Sequence, residues 1–398
     1  MIDKSRRDAI LKKARPSVRW KGECELGSWY TEEEIEAAVR AMRDSMDWNR
    51  GFTGPEIEEF EQAFTKYVGT EYAIAINGAG SGIDMAMMCL DLKPGDEVIC
   101  PAINFHGDHV AIIGQGGSLI FCEADPRTLN ADPADVEKRV TPRTRAIMVT
   151  HMNGLSAPMD ELLDIAERRS TPSRPIRVIG DAARSCIGEY KGTKIGKKGW
   201  MTIFSFHTMK LMTTFGEGGM ITTDDPEVAK RIRNYRSFGG GVTWGTNFKM
   251  TKVQAAVGMV QLRRVEEMIA LRRKRAQQRT ELLKDVPELT LPYEPPGYKH
   301  TYYLYNILVS REWMGEKRNR VMDTLAEEYN VGSAVANPPT YTYHRYIREH
   351  TEGQRLPISE EIGARLFCPS LHPLMTEEQN EYVAAAVIEA VERVRSMD

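Results

Sequence analysis

Residues 175–219 read PIRVIGDAARSCIGEYKGTKIGKKGWMTIFSFHTMKLMTTFGEGG. An apolar run, PIRVIG, stops at an acid and two small residues, Asp181-Ala182-Ala183. A second apolar run, WMTIFSF, delivers Ser205, His207 and then Lys210. Both runs have the length and composition of buried strands. A carboxylate ending one strand and a lysine just past another suit a pocket at the carboxyl edge of an α/β sheet. The trailing Gly216-Glu217-Gly218-Gly219 lets the backbone turn away.

Outward from that stretch, apolar runs at 73–76, 97–100, 118–122, 145–149 and 219–223 alternate with helical patterns. This alternation predicts an α/β fold with a largely parallel sheet and crossover helices. Strand Ala73 to Ile76 leads through Asn77-Gly78-Ala79-Gly80-Ser81-Gly82 into a helix predicted from Ile83 to Leu90, with Ser81 and Asp84 as its capping box. A glycine turn between a strand and a helix start can seat an anion. It is not a dinucleotide fingerprint, because the third glycine position is Ile83.

GDAARS (180–185), FSFHTMK (204–210) and GEGG (216–219), in that order and spacing, resemble the DegT/DnrJ/EryC1/StrS family of pyridoxal-phosphate (PLP) aminotransferases acting on keto-sugars and keto-cyclitols. The resemblance runs from about residue 29 to the C-terminus. It implies PLP-dependent transferase fold type I: a large domain around a mostly parallel seven-stranded sheet, and a smaller C-terminal α+β domain. It also implies that Lys210 joins PLP covalently, that Asp181 holds the protonated ring nitrogen and that Phe105 stacks on the ring. Ala79-Gly80-Ser81 and Ser205 then meet the phosphate. In the stretch 244–251, Asn247 matches an asparagine that reaches the partner subunit's phosphate. Two positions depart from the family pattern: Arg184 replaces a glutamine or histidine after D-A-A, and Gly80 replaces a threonine.

These residue types suit the chemistry. A lysine that condenses with an aldehyde must be neutral part of the time, so it belongs where its proton affinity falls. A buried carboxylate is costly unless it meets a cation, and a pyridinium is one. Arg184 could clamp a carboxylate of the amino donor or turn outward into a salt bridge. His106 and His109 lie near the expected mouth; each could touch substrate or serve as a structural hydrogen-bonder.

With 398 residues, 41% hydrophobic and 27% charged, the chain can bury a large core, and its net charge of −3 offers no broad basic surface for nucleic acid. Arg272-Arg273-Lys274-Arg275 reads as a solvated helix face. Six scattered cysteines without a CxxC pair suggest free thiols in a reducing compartment, with no metal cluster. No signal peptide or membrane-length apolar run is visible, so a cytoplasmic protein is expected. Thr31 with Glu34 predicts a helix whose Ile35, Val39, Met42 and Met46 share one apolar face, and Gly54-Pro55 starts the next. The domain expectation is an extension over 1–28, a large cofactor-binding domain over 29–286 and a small domain over 287–398, with prolines 287, 292, 295 and 296 at the boundary.

The expected function is transfer of an amino group from glutamate or glutamine to a ketone of a sugar nucleotide or cyclitol, by a homodimer with shared sites. Two alternatives stay open: another reaction on PLP, such as a dehydration, and a sensing or scaffold protein that has lost catalysis.

Overall fold

Seven strands form the central sheet of the computed structural model, which describes residues 2–12, 20–49 and 54–397. In spatial order they are Tyr72–Ile76, Gly219–Thr223, Met201–Ser205, Arg177–Asp181, Thr144–Thr150, Glu97–Pro101 and Ser118–Cys122. Gly219–Thr223 runs antiparallel to both neighbours; the remaining pairs are parallel. Every residue of Met201–Ser205 is buried, as its unbroken apolar run requires of a strand covered on both faces. Ile203 packs with Ile76 and Ile221, whereas its neighbour Phe204 packs with Phe64 and Met220, so successive side chains feed opposite layers.

The strand that ends at Asp181 and the strand Met201–Ser205 that leads to Lys210 are adjacent and parallel, with Asp181 level with Ile203. Both therefore end at the same edge. A second sheet, ordered Leu289–Thr290, Ile307–Val309, Leu366–Pro369, Ser333–Ala334, forms from the last quarter of the chain. The apolar run TYYLYNILVS over 301–310 reads as one continuous strand, but only Ile307–Val309 is a strand; His300 to Tyr305 run irregularly, with Tyr302 at positive φ.

Three capped helices start where the sequence signals place them. Glu32–Asp44 follows Thr31, whose N–H and hydroxyl both donate to Glu34 (2.7 and 2.6 Å). Lys252–Leu283 follows Thr251, and Glu377–Arg395 follows Thr376, each boxed with a glutamine. Part of the predicted turn before Pro55, residues 50–53, lies outside the described residues, as do residues 13–19 of the N-terminal extension.

Several expectations change. The helix after the first strand is Ala79–Cys89, so Gly80 and Ser81 lie inside its first turn and Gly78 is its cap. Ser81 does not cap with Asp84; its hydroxyl bonds Asn77 Oδ1 (2.5 Å) and the Gly78 carbonyl (2.8 Å). In Glu32–Asp44 the buried residues are Glu34, Ala37, Ala38 and Ala41, while Ile35, Val39 and Met42 are exposed, as is Met46 beyond the helix end. The alanine face lies against Lys252–Leu283, where small side chains let two helices approach closely. In the basic run only Lys274 is exposed. Arg272 is buried and donates to the carbonyls of Gly27, Tyr302, Tyr303 and Leu371. All six cysteines are free thiols. No helix among the described residues is long and apolar enough to cross a membrane.

Candidate active site

Asp181 and Lys210 line one cavity of about 500 Å³ with Gly80, Phe105, Asp108, Arg184, Ser205 and Glu23. Asp181 is 4% exposed, and its Oδ1 accepts the N–H of Ala183 at 2.8 Å. Lys210 follows a tight turn in which its own N–H donates to the His207 carbonyl (2.8 Å). Its Nζ donates to the Tyr303 hydroxyl at 3.3 Å and lies 4.8 Å from the centre of that ring. Burial, then the charge of Arg184, lowers the Lys210 amine to about 8.

The two helix starts at the sheet edge complete the walls. Ala79 and Gly80 bring backbone from the first turn of Ala79–Cys89, where N–H groups lack helical acceptors. Phe105, the cap of His106–Gly114, is 50% exposed and presents its ring to the cavity. Ser205 Oγ accepts the His207 N–H (3.3 Å), and His207 Nδ1 accepts the Met209 N–H (3.2 Å), so both side chains also shape the lysine turn.

Arg184 does not turn outward. It is buried, donates from Nη1 to Asn153 Oδ1 at 2.9 Å and lies over the Tyr303 ring at 5.7 Å. His109 is wholly buried between the Pro101 carbonyl (3.0 Å) and the Thr340 hydroxyl (2.8 Å). Burial lowers it to about 3, so it is a neutral structural group. His106 lies tilted against Phe105, ring centres 4.1 Å apart, and does not line the cavity. Ser81 and Asn247 do not line it either. Asn247 is exposed, its Oδ1 accepting the Lys249 N–H at 3.4 Å.

Sequence reasoning misses three groups around the lysine: Glu23, Asp108 and Tyr303. Asp108 is buried, with Oδ2 held by Asn104 Nδ2 (2.7 Å) and the Thr150 hydroxyl (3.3 Å). Its Oδ1 is buried without a hydrogen-bond partner. Burial raises both Asp108 and Asp181, and the charge of Asp181 raises Asp108 further. A cation on this floor relieves that cost. A protonated pyridine ring meets the need, with Phe105 as a flat apolar surface, Lys210 as the amine and a helix start for an anion. The residues present therefore fit PLP. An acid four residues after Asn104, in the first turn of the helix His106–Gly114, is the one sequence signal for Asp108; Glu23 has none.

The fold and this cavity define a PLP-dependent aminotransferase of fold type I. A sequence model of the DegT/DnrJ/EryC1/StrS aminotransferase family matches residues 30–388, and the chain belongs to that family. It is 31% identical to the spore coat polysaccharide biosynthesis protein SpsC of Bacillus subtilis, over 85% of this chain and 90% of that one. It is 33% identical to GDP-perosamine synthase of Caulobacter vibrioides, over 84% and 90%. Its structure resembles DesV of S. venezuelae with a TM-score of 0.83 and 29% identity, covering 91% of this chain and 96% of DesV.

Proposed function

We propose that this enzyme moves an amino group from glutamate or glutamine to a ketone of a sugar nucleotide or cyclitol, in amino-sugar or natural-product biosynthesis. The observation that carries the reading is one cavity holding a buried carboxylate and a lysine amine lowered to about 8, at the ends of neighbouring strands. GDP-perosamine synthase and SpsC, by their names, support a sugar as the amino acceptor.

Bound PLP supplies an electron sink that makes the hydrogen beside the donor's amino group acidic. Asp181 would keep the ring nitrogen protonated, and Phe105 would cover one ring face. The N–H group of Gly80, with Ser205, would take the phosphate. An amine lowered to about 8 can accept a proton near neutral pH and return it, so Lys210 would take the proton from the donor carbon and give it back. Arg184, anchored by Asn153, offers its remaining N–H groups to the donor's carboxylate.

The working form is a homodimer in the cytoplasm. Asn247 lies outside its own cavity, and Trp244, Phe238 and Val242 are exposed on the segment around it. A second copy covers that apolar surface and receives Asn247 at its own phosphate site. The separate small sheet supports a division into two domains near residue 287.

The decisive experiment is a spectrum of the purified protein before and after glutamate. Wild type is expected to be yellow and to bleach with the donor alone; Lys210→Ala is expected to do neither and to lose turnover. Undiminished turnover in that variant would remove Lys210 from the chemistry. Turnover without donor would favour a dehydration.

A further inference from the structure

Lys210 Nζ donates to the Tyr303 hydroxyl at 3.3 Å, and that hydroxyl donates in turn to Glu23 Oε1 in a short hydrogen bond. Glu23 comes from the stretch before residue 30, where the family match begins. Residues 20–27 of it are tied to the body of the protein at both ends. Gly332 N–H donates to the Trp20 carbonyl (2.7 Å), Arg272 to the Gly27 carbonyl (2.6 Å) and Gly27 N–H to the Thr208 carbonyl (3.0 Å). A Cβ on Gly27 would collide with the carbonyl oxygens of Met209 and Lys210. The strap thus rests directly on the turn that presents the lysine.

We infer that Glu23 is a positioning residue of the active site: it takes the hydroxyl hydrogen of Tyr303 and so turns the hydroxyl oxygen toward the Lys210 amine. A hydroxyl that donates to a carboxylate has its lone pairs free for another donor. The chain of two hydrogen bonds holds the flexible lysine stem in one place, and brings negative charge to an amine that burial would otherwise discharge.

The charged and titratable groups around Lys210 are Arg184 and Asp181 beyond one strand, Asp108 on the cavity floor, His207 and Glu217 on its own segment, and Glu23 with Tyr303 above. Burial and Arg184 lower the amine. Of the groups that oppose them, Glu23 acts most strongly, ahead of Asp181 and Glu217. The inference rests on Lys210 being the reactive amine of the proposed function.

The test uses the full chain freed of cofactor. Lys210 acylation by acetic anhydride is followed against pH by mass spectrometry of its peptide. Glu23→Gln keeps the size and removes the charge. Its half-reaction pH is expected to fall by about half a unit or more. Arg184→Gln is expected to move it the other way. The Glu23→Gln shift is expected to shrink in a Tyr303→Phe background, because the hydroxyl link is gone. Glu23→Asp, which keeps the charge, is expected to restore most of the wild-type value and serves if Glu23→Gln folds poorly. An unchanged half-reaction pH in Glu23→Gln, even with a lower melting temperature, overturns the inference. Because the readout needs no PLP, failure to bind cofactor would count against the proposed function alone.

Discussion

Burying Lys210 costs the cofactor-free protein stability over a definable pH range. Its amine stands at about 8 when folded against an ordinary value of 10.5. Between these values the unfolded chain binds more protons, so stability rises with pH from about 8 to 10.5 and the penalty is full below about 8. Lys210→Met is therefore expected to stabilise the cofactor-free protein at pH 7 by about 1–3 kcal/mol, with little gain at about pH 10. Urea unfolding at the two pH values measures this; equal stability at the lower pH would mean the amine is not desolvated. Asp181→Asn removes the counter-charge for the ring nitrogen and should weaken PLP binding about tenfold or more. Titrating cofactor into the two proteins checks it, and matched affinities would place the carboxylate away from the ring. At this scale the sequence showed Asp181, Arg184, Ser205 and Lys210, because one short stretch, 175–219, carries them all. Tyr303 and Glu23 stayed hidden, since the contacts that define them join residues 280 positions apart.

The helix starts at Thr31, Thr251 and Thr376 were legible because a cap and its partner are three residues apart, whereas the same spacing at Ser81 and Asp84 misplaced the start of Ala79–Cys89. Which face a helix buries was less legible. Periodicity finds the apolar side of Glu32–Asp44, but the opposite alanine side is what packs within the chain. Close approach also governs Gly258 in Lys252–Leu283. A Cβ there would meet Phe60 Cζ at 2.7 Å and Thr214 Cγ2 at 3.0 Å. Alanine is the better helix former, yet Gly258→Ala is expected to destabilise by about 1–3 kcal/mol through overpacking. Thermal melts decide it: a stabilised variant would show that Phe60 yields at no cost.

At the scale of the whole molecule, two stretches of the described residues each expose several large apolar side chains. Ile35, Met42 (61% exposed), Met46 and Trp48 form one; Phe238, Val242 and Trp244 (67% exposed) form the other. Scattered exposed apolar residues are ordinary, but groups of this size mark contact surfaces. If the proposed homodimer forms through the first, placing a charge there, as in Met42→Glu, is expected to shift the protein toward monomer and to lower activity with it. Sedimentation of wild type and variant reads this; a variant that stays dimeric and active would put the interface elsewhere.

What the sequence determined alone was local and covalent: strand and helix order, helix caps, and the run that sets an acid and a lysine at two strand ends. Those features depend on residues a few positions apart, where chain geometry leaves few choices. Only the tertiary structure decided that Arg184 turns inward, that Asp108 lies beside Asp181, and that an N-terminal strap reaches the lysine through Tyr303. Each of these depends on which distant segments share a buried space, and there the cost of an unpartnered charge or hydroxyl selects the partner.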